Sequence, residues 1–273
     1  MKIFSLYKDF FNFIDRIPSC SNKWETYLSH YCSVHKDFFD AYFAMFPLLD
    51  SENLQQRVEA TKESDYSWLR HLVTVCKPEE IVAETYERCV ELIAPQEEPD
   101  IYLFVGFFSP DGFVMNIGEK PVMCFGLERF KDFLLLRILF AHEYIHYLLR
   151  LNAGEVSEAK RFKWLLISEG LATYFSSLVF PEYDLVDHLL LSRDVLNWCQ
   201  VNEALIKHAY FAESHSFEEL VELYKKGNID LGIPPRVGKF LAFLSVKSVV
   251  ERRYNNRLEL LISDREAALS LDL

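Results

Sequence analysis

Glycine and proline are scarce in this chain, at 9 and 10 copies, which excludes long low-complexity or disordered segments. No stretch approaches the roughly 18 consecutive apolar residues of a membrane span; the longest candidate, 101–108, is strand-sized. Basic residues are outnumbered, 29 against 41 acidic, and the net charge of −12 argues against nucleic acid as a partner. The apolar N-terminal stretch is interrupted by Lys8, Asp9, Asp15 and Arg16, so it lacks the core of a secretory signal. There is no CxxC pair, no phosphate-binding GxxxxGK[ST], no GxGxxG and no GxSxG, which leaves nucleotide binding and serine-nucleophile chemistry without support. The six cysteines (Cys20, Cys32, Cys76, Cys89, Cys124, Cys199) are scattered, and the expectation is reduced thiols in a cytoplasmic protein.

What is present is apolar and aromatic. Of the 273 residues, 50% are hydrophobic and 15% aromatic, enough to bury a large core. Three regions follow from the patterning. Residues 1–95 read as helical: Phe4, Leu6, Tyr7, Phe10, Phe11, Phe13 and Ile14 recur at helical spacing, and Pro78 opens a further helix with Glu79 and Glu80 in its first turn. The linker PQEEPD, from Pro95 to Asp100, opens a second region, 96–180. Its β-prone runs 101–108, 113–117 and 122–127, separated by the turns SPDG and GEKP, predict a small antiparallel sheet of three strands. Helical period then returns over 130–151, apolar nearly all round as befits a helix in the middle of a fold, and again over 157–179. Residues 181–273 read as four or five shorter helices, with breaks near Gly227 and at Gly232-Ile233-Pro234-Pro235. The expected class is α+β, mostly helical, with the sheet ahead of a long buried helix.

That buried helix carries HEYIH at 142–146. Histidines four residues apart project from one helical face, and this spacing lets His142 and His146 reach one zinc ion. Glu143, beside the first of them, is the base for a water that zinc activates toward a carbonyl. Glu169, in the following helix, is flanked by Trp164, Leu165, Leu166, Ile167, Leu171, Ala172 and Phe175. A carboxylate in such surroundings needs a partner or a metal, so Glu169 is the expected third ligand, with Gly170 allowing close helix approach. A chance match to the motif belongs on an exposed polar helix, where unligated histidines cost nothing. His30 and His35, five apart and so not on one helical face, read as surface or cap residues, the isolated His188, His208 and His215 as structural, and Trp24, Trp68, Trp164 and Trp198 as core.

HEYIH followed by SEGLATYF resembles the gluzincin branch of the HExxH metallopeptidases, and more closely the predicted zinc-dependent peptidases of the DUF2268 type. The resemblance covers roughly residues 100–255. It implies a zincin-like fold, one zinc per chain held by His142, His146 and Glu169, Glu143 as base and proton shuttle, and a peptide or protein substrate. By the same resemblance the run 122–127 is an edge strand on which an extended substrate pairs. Two departures stand out: Thr173 where gluzincins place an acid that orients a ligand histidine, and Lys239 where the related proteins carry a tyrosine after Gly238. The oxyanion stabiliser is left open among Tyr174, Tyr210, His215 and Arg236. The departures also motivate an alternative, a zincin-like protein that binds peptides or braces a structure without cleaving.

Overall fold

A computed structural model describes residues 1–47, 51–107, 110–152, 154, 156–211, 215–254 and 257–271. Phe108, the end of the first expected strand, and Ser109 of the turn after it lie outside the described residues. Contacts divide the chain into two compact units, one of residues 1–90 and 94–143, the other of 91–93 and 144–273.

The first unit begins with a strand, β1 (Lys2–Ser5), followed by helices α1 (Tyr7–Ile14), α2 (Lys23–Tyr27), α3 (Lys36–Met45), α4 (Ser51–Ala60), α5 (Ser67–Cys76) and α6 (Pro78–Leu92). Strands β2 (Asp100–Phe104), β3 (Gly112–Ile117) and β4 (Lys120–Gly126) come next, then α7 (Leu134–Leu151), whose first turns complete the unit. Helix α6 starts at Pro78 as the sequence predicts. The N-terminal prediction fails at Lys2–Ser5. These residues pair in parallel with β2, and Phe4 stacks on its register partner Tyr102 at 4.7 Å. A strand edge supplied almost a hundred residues away overrides local helical spacing, as cross-strand pairing commonly does.

The sheet therefore has four strands in the order β1-β2-β4-β3 and is mixed, not antiparallel. Strands β1, β2 and β4 run parallel, and only the β3–β4 hairpin is antiparallel. Strand β4 lies between β2 and β3, hydrogen-bonded on both sides, so it cannot be the substrate-pairing edge expected at 122–127. That edge is β3.

The abundant phenylalanine and tyrosine pack beneath this sheet. The Phe10 ring meets Tyr31, Tyr66 and Phe107 within 6 Å, and Phe38 stacks on Tyr102. Tyr31 hydroxyl both donates to the Val105 carbonyl (3.0 Å) and accepts from its N–H (2.9 Å), satisfying the backbone just past β2. Phe125 of β4 stacks on Phe140 of α7 at 5.5 Å, which seats the helix on the sheet.

In the second unit α7 ends, and α8 (Arg161–Val179), α9 (Leu185–Leu189), α10 (Arg193–Val201), α11 (Glu203–Phe211), α12 (Phe217–Lys226), α13 (Gly238–Arg253), α14 (Glu259–Ser263) and α15 (Arg265–Leu269) follow. Seven helices thus come after α8 among the described residues, against the four or five that periodicity suggests, because several span only five residues. Helix α12 carries a full capping box, Ser216 with Glu219, and stops at Gly227 (φ 71°). Helices α8 and α13 form the tightest pair in the unit. None of the described helices is long and apolar enough to cross a membrane.

Candidate metal centre

Helix α7 is apolar on almost every side, and its middle turns are buried from Ile138 to Ile145. Into that stretch the sequence places three groups that prefer water. His142 is 4% exposed and Glu143 6%, with His146 a turn further on and half-buried. Each of the three offers one ligand atom, and these atoms lie within 4.8 Å of one another. The helical repeat produces this convergence directly, since residues one turn apart stack on the same face.

Glu143 has close neighbours in its own unit. A Cβ on Gly112, the first residue of β3, would fall 3.1 Å from its Cγ and 2.9 Å from Cδ2 of Leu139. The missing side chain lets the edge strand pass directly beside the carboxylate. Cys124 of β4 is near enough that burial, followed by the Glu143 charge, pushes its thiol well above the ordinary value.

In the second unit Glu169 of α8 turns Oε1 toward His146, at 3.4 Å from Nε2. That is longer than a charge-assisted hydrogen bond of about 2.7–2.9 Å. It equals the separation of two ligands that each sit about 2.0–2.1 Å from a tetrahedral zinc, which is roughly 3.3–3.4 Å. The donor types suit the same ion, since zinc takes imidazole nitrogen and carboxylate oxygen. The residues fit zinc.

Compared with family models, with curated proteins and with solved structures, the chain matches none. The zincin resemblance therefore rests on the sequence motifs alone.

Two further residues gather at Glu169. Tyr224, near the end of α12, donates its hydroxyl to Glu169 Oε2 at 3.3 Å, and Lys239 Nζ lies 4.0 Å from the same oxygen. Burial, then the Glu169 charge, push the Tyr224 phenol well above its ordinary value, so it remains a donor. The sequence marks Lys239 only as a departure and gives Tyr224 no prominence. Its one signal is Gly238, whose role depends on a ring arriving from another helix.

The four oxyanion candidates go to different places. Tyr174 points along α13, its ring 6.3 Å from Phe243 and its phenol raised by burial and by Glu251. Tyr210 is buried and stacks on Phe162 at 5.8 Å. His215 reaches back from the start of α12 to the Ala209 carbonyl, 3.1 Å away. Arg236, in left-handed backbone (φ 67°), is close enough for its charge to act on the Tyr224 phenol. His188 is a satisfied structural histidine, bonded to Ser176 Oγ and the Phe180 carbonyl.

Proposed function

We propose that this protein is a zinc-dependent peptidase with a zincin-like site. The observation that carries the reading is the 3.4 Å approach of Glu169 Oε1 to His146 Nε2, on a helix whose buried turns already gather His142, Glu143 and His146. In this reading His142 and His146 hold the ion through their imidazoles and Glu169 through one carboxylate oxygen. Bound zinc supplies Lewis acidity, polarising a carbonyl and making a water nucleophilic near neutral pH.

The chain's own residues do the rest. A carboxylate oxygen of Glu143 takes the proton from the attacking water and returns it to the departing amine nitrogen. Its burial beside Gly112 restricts its rotamers, so the proton is handled at a fixed place. Strand β3 ends the described sheet, with Gly112 beside Glu143, and in this reading an extended substrate backbone adds to the sheet at this end as a further strand. Pairing there aligns a peptide bond with the helix face that bears the base.

The test combines metal content with turnover. The purified chain should carry one zinc and cleave members of a diverse peptide library, whereas Glu143→Gln should keep the zinc and lose cleavage. Full activity in Glu143→Gln overturns the proposal. Bound zinc without turnover in the unaltered chain favours the non-cleaving alternative.

A further inference from the structure

A carboxylate that ligates through one oxygen has a second oxygen to account for. In Glu169 that oxygen, Oε2, meets Tyr224 and Lys239. We infer that Tyr224 and Lys239 are positioning residues that commit Glu169 to one-oxygen ligation, with Oε1 presented beside His146 and Oε2 retained by the phenol and the ammonium. The inference rests on the zinc reading above and extends it to residues outside the ligand set.

The arrangement is built rather than incidental. Tyr224 can reach Glu169 only because position 238 has no side chain: a Cβ there would fall 2.1 Å from Cδ2 and 2.7 Å from Cε2 of the Tyr224 ring. Lys239 is the next residue along, and it leans over the same carboxylate while only 13% of its side chain is exposed. A lysine so enclosed would be costly without an acid to face. The two residues stand at opposite ends of the connection between α12 and α13, which Gly227 (φ 71°) and the paired Asn228 and Ile233 fold back on itself. One closed loop thus delivers both groups to one oxygen.

The chemistry of each partner is complementary. The phenol is a directional donor aimed at the carboxylate, although 3.3 Å is longer than an ordinary hydroxyl hydrogen bond. The ammonium is a point charge at 4.0 Å, which offsets the charge of the carboxylate between two apolar helices.

Zinc affinity, read by competition with a chromophoric chelator, and the visible spectrum of the cobalt-loaded chain test this in the full-length protein. Tyr224→Phe and Lys239→Met should each weaken zinc binding about 10- to 100-fold and shift the cobalt bands, with Lys239→Arg restoring most of the loss. Unfolding midpoints near that of the unaltered chain show that packing alone is not responsible. Unchanged affinity and an unchanged cobalt spectrum in Tyr224→Phe overturn the inference while leaving the zinc reading intact. Should Tyr224→Phe not fold, unchanged binding in Lys239→Met overturns it instead. An unaltered chain that takes up neither metal overturns both.

Discussion

A Cβ on Gly170 would lie 2.3 Å from the carbonyl oxygen of Ala242 and 2.5 Å from Cγ2 of Val246, so α8 and α13 touch almost backbone to backbone beside Glu169. The obstacle is main chain within a helix, which cannot swing aside as a side-chain tip can. Gly170→Ala should therefore destabilise the protein by about 2–3 kcal/mol, the cost of overpacking a core. At an unobstructed helical position the same change stabilises by about 1 kcal/mol. The sign alone decides, and urea unfolding reads it. Because the residue follows Glu169, the variant should also bind zinc more weakly.

Glu143 and Glu169 should separate cleanly in their effects. Removing the base costs general-base catalysis, about 10²–10⁴-fold in kcat, and leaves metal affinity near that of the unaltered chain. Glu169→Ala removes a ligand and should abolish stoichiometric zinc while leaving the fold. Metal analysis of both variants beside peptide turnover makes the distinction, and a Glu169→Ala protein that retains tight zinc would remove Glu169 from the ligand set.

Stripping zinc should also lower the unfolding midpoint, since a ligand that binds only the folded state stabilises it by mass action. At free metal a thousandfold above Kd the effect is about 4 kcal/mol. Differential scanning with and without chelator should show the difference in the unaltered chain and little of it in Glu169→Ala.

These expectations draw unequally on sequence and structure. The spacing of His142, Glu143 and His146, and the apolar company of Glu169, are local features of two helices, and local features are what periodicity reports. Tyr224 is different. Its approach to Glu169 depends on a glycine in another helix and on a loop that turns back, neither of which has a periodic signature. Strand β1 is hidden for a similar reason, since Lys2–Ser5 becomes a strand through pairing with β2 rather than by its own pattern. The hairpin of β3 and β4 is legible from its turn, but which of the two forms the edge is decided by β2, which arrives beside β4. The small sheet and helical bulk of an α+β protein could be read; the sheet's order could not.

Acid should loosen the N-terminal part of the first unit through Glu79. Burial raises its carboxyl, but hydrogen bonds from Lys8, Ser5 and Tyr7 outweigh it and bring the group down to about 2. A carboxylate lowered on folding adds stability that is full above its unfolded value, near pH 4.5. That stability is lost as pH falls from there toward about 2. With 27% of the side chain exposed, screening leaves on the order of 2 kcal/mol. Glu79→Gln should flatten the acid limb of the stability curve between pH 4.5 and 2, and an unchanged limb would show that the cluster contributes nothing net.

Tyr210 offers the sharpest test among the oxyanion candidates. It is 3% exposed, and its hydroxyl has no hydrogen-bond partner among the described residues. A buried hydroxyl in that state costs free energy that its deletion returns. Tyr210→Phe keeps the ring stacked on Phe162 and should be neutral or stabilising by up to about 1 kcal/mol. Turnover should stay within twofold of the unaltered chain if the hydroxyl plays no part in stabilising a developing oxyanion. A fall in kcat of a hundredfold or more, with zinc content and KM unchanged, would instead mark Tyr210 as that donor, since losing one such hydrogen bond costs about 2.7–4 kcal/mol of transition-state stabilisation.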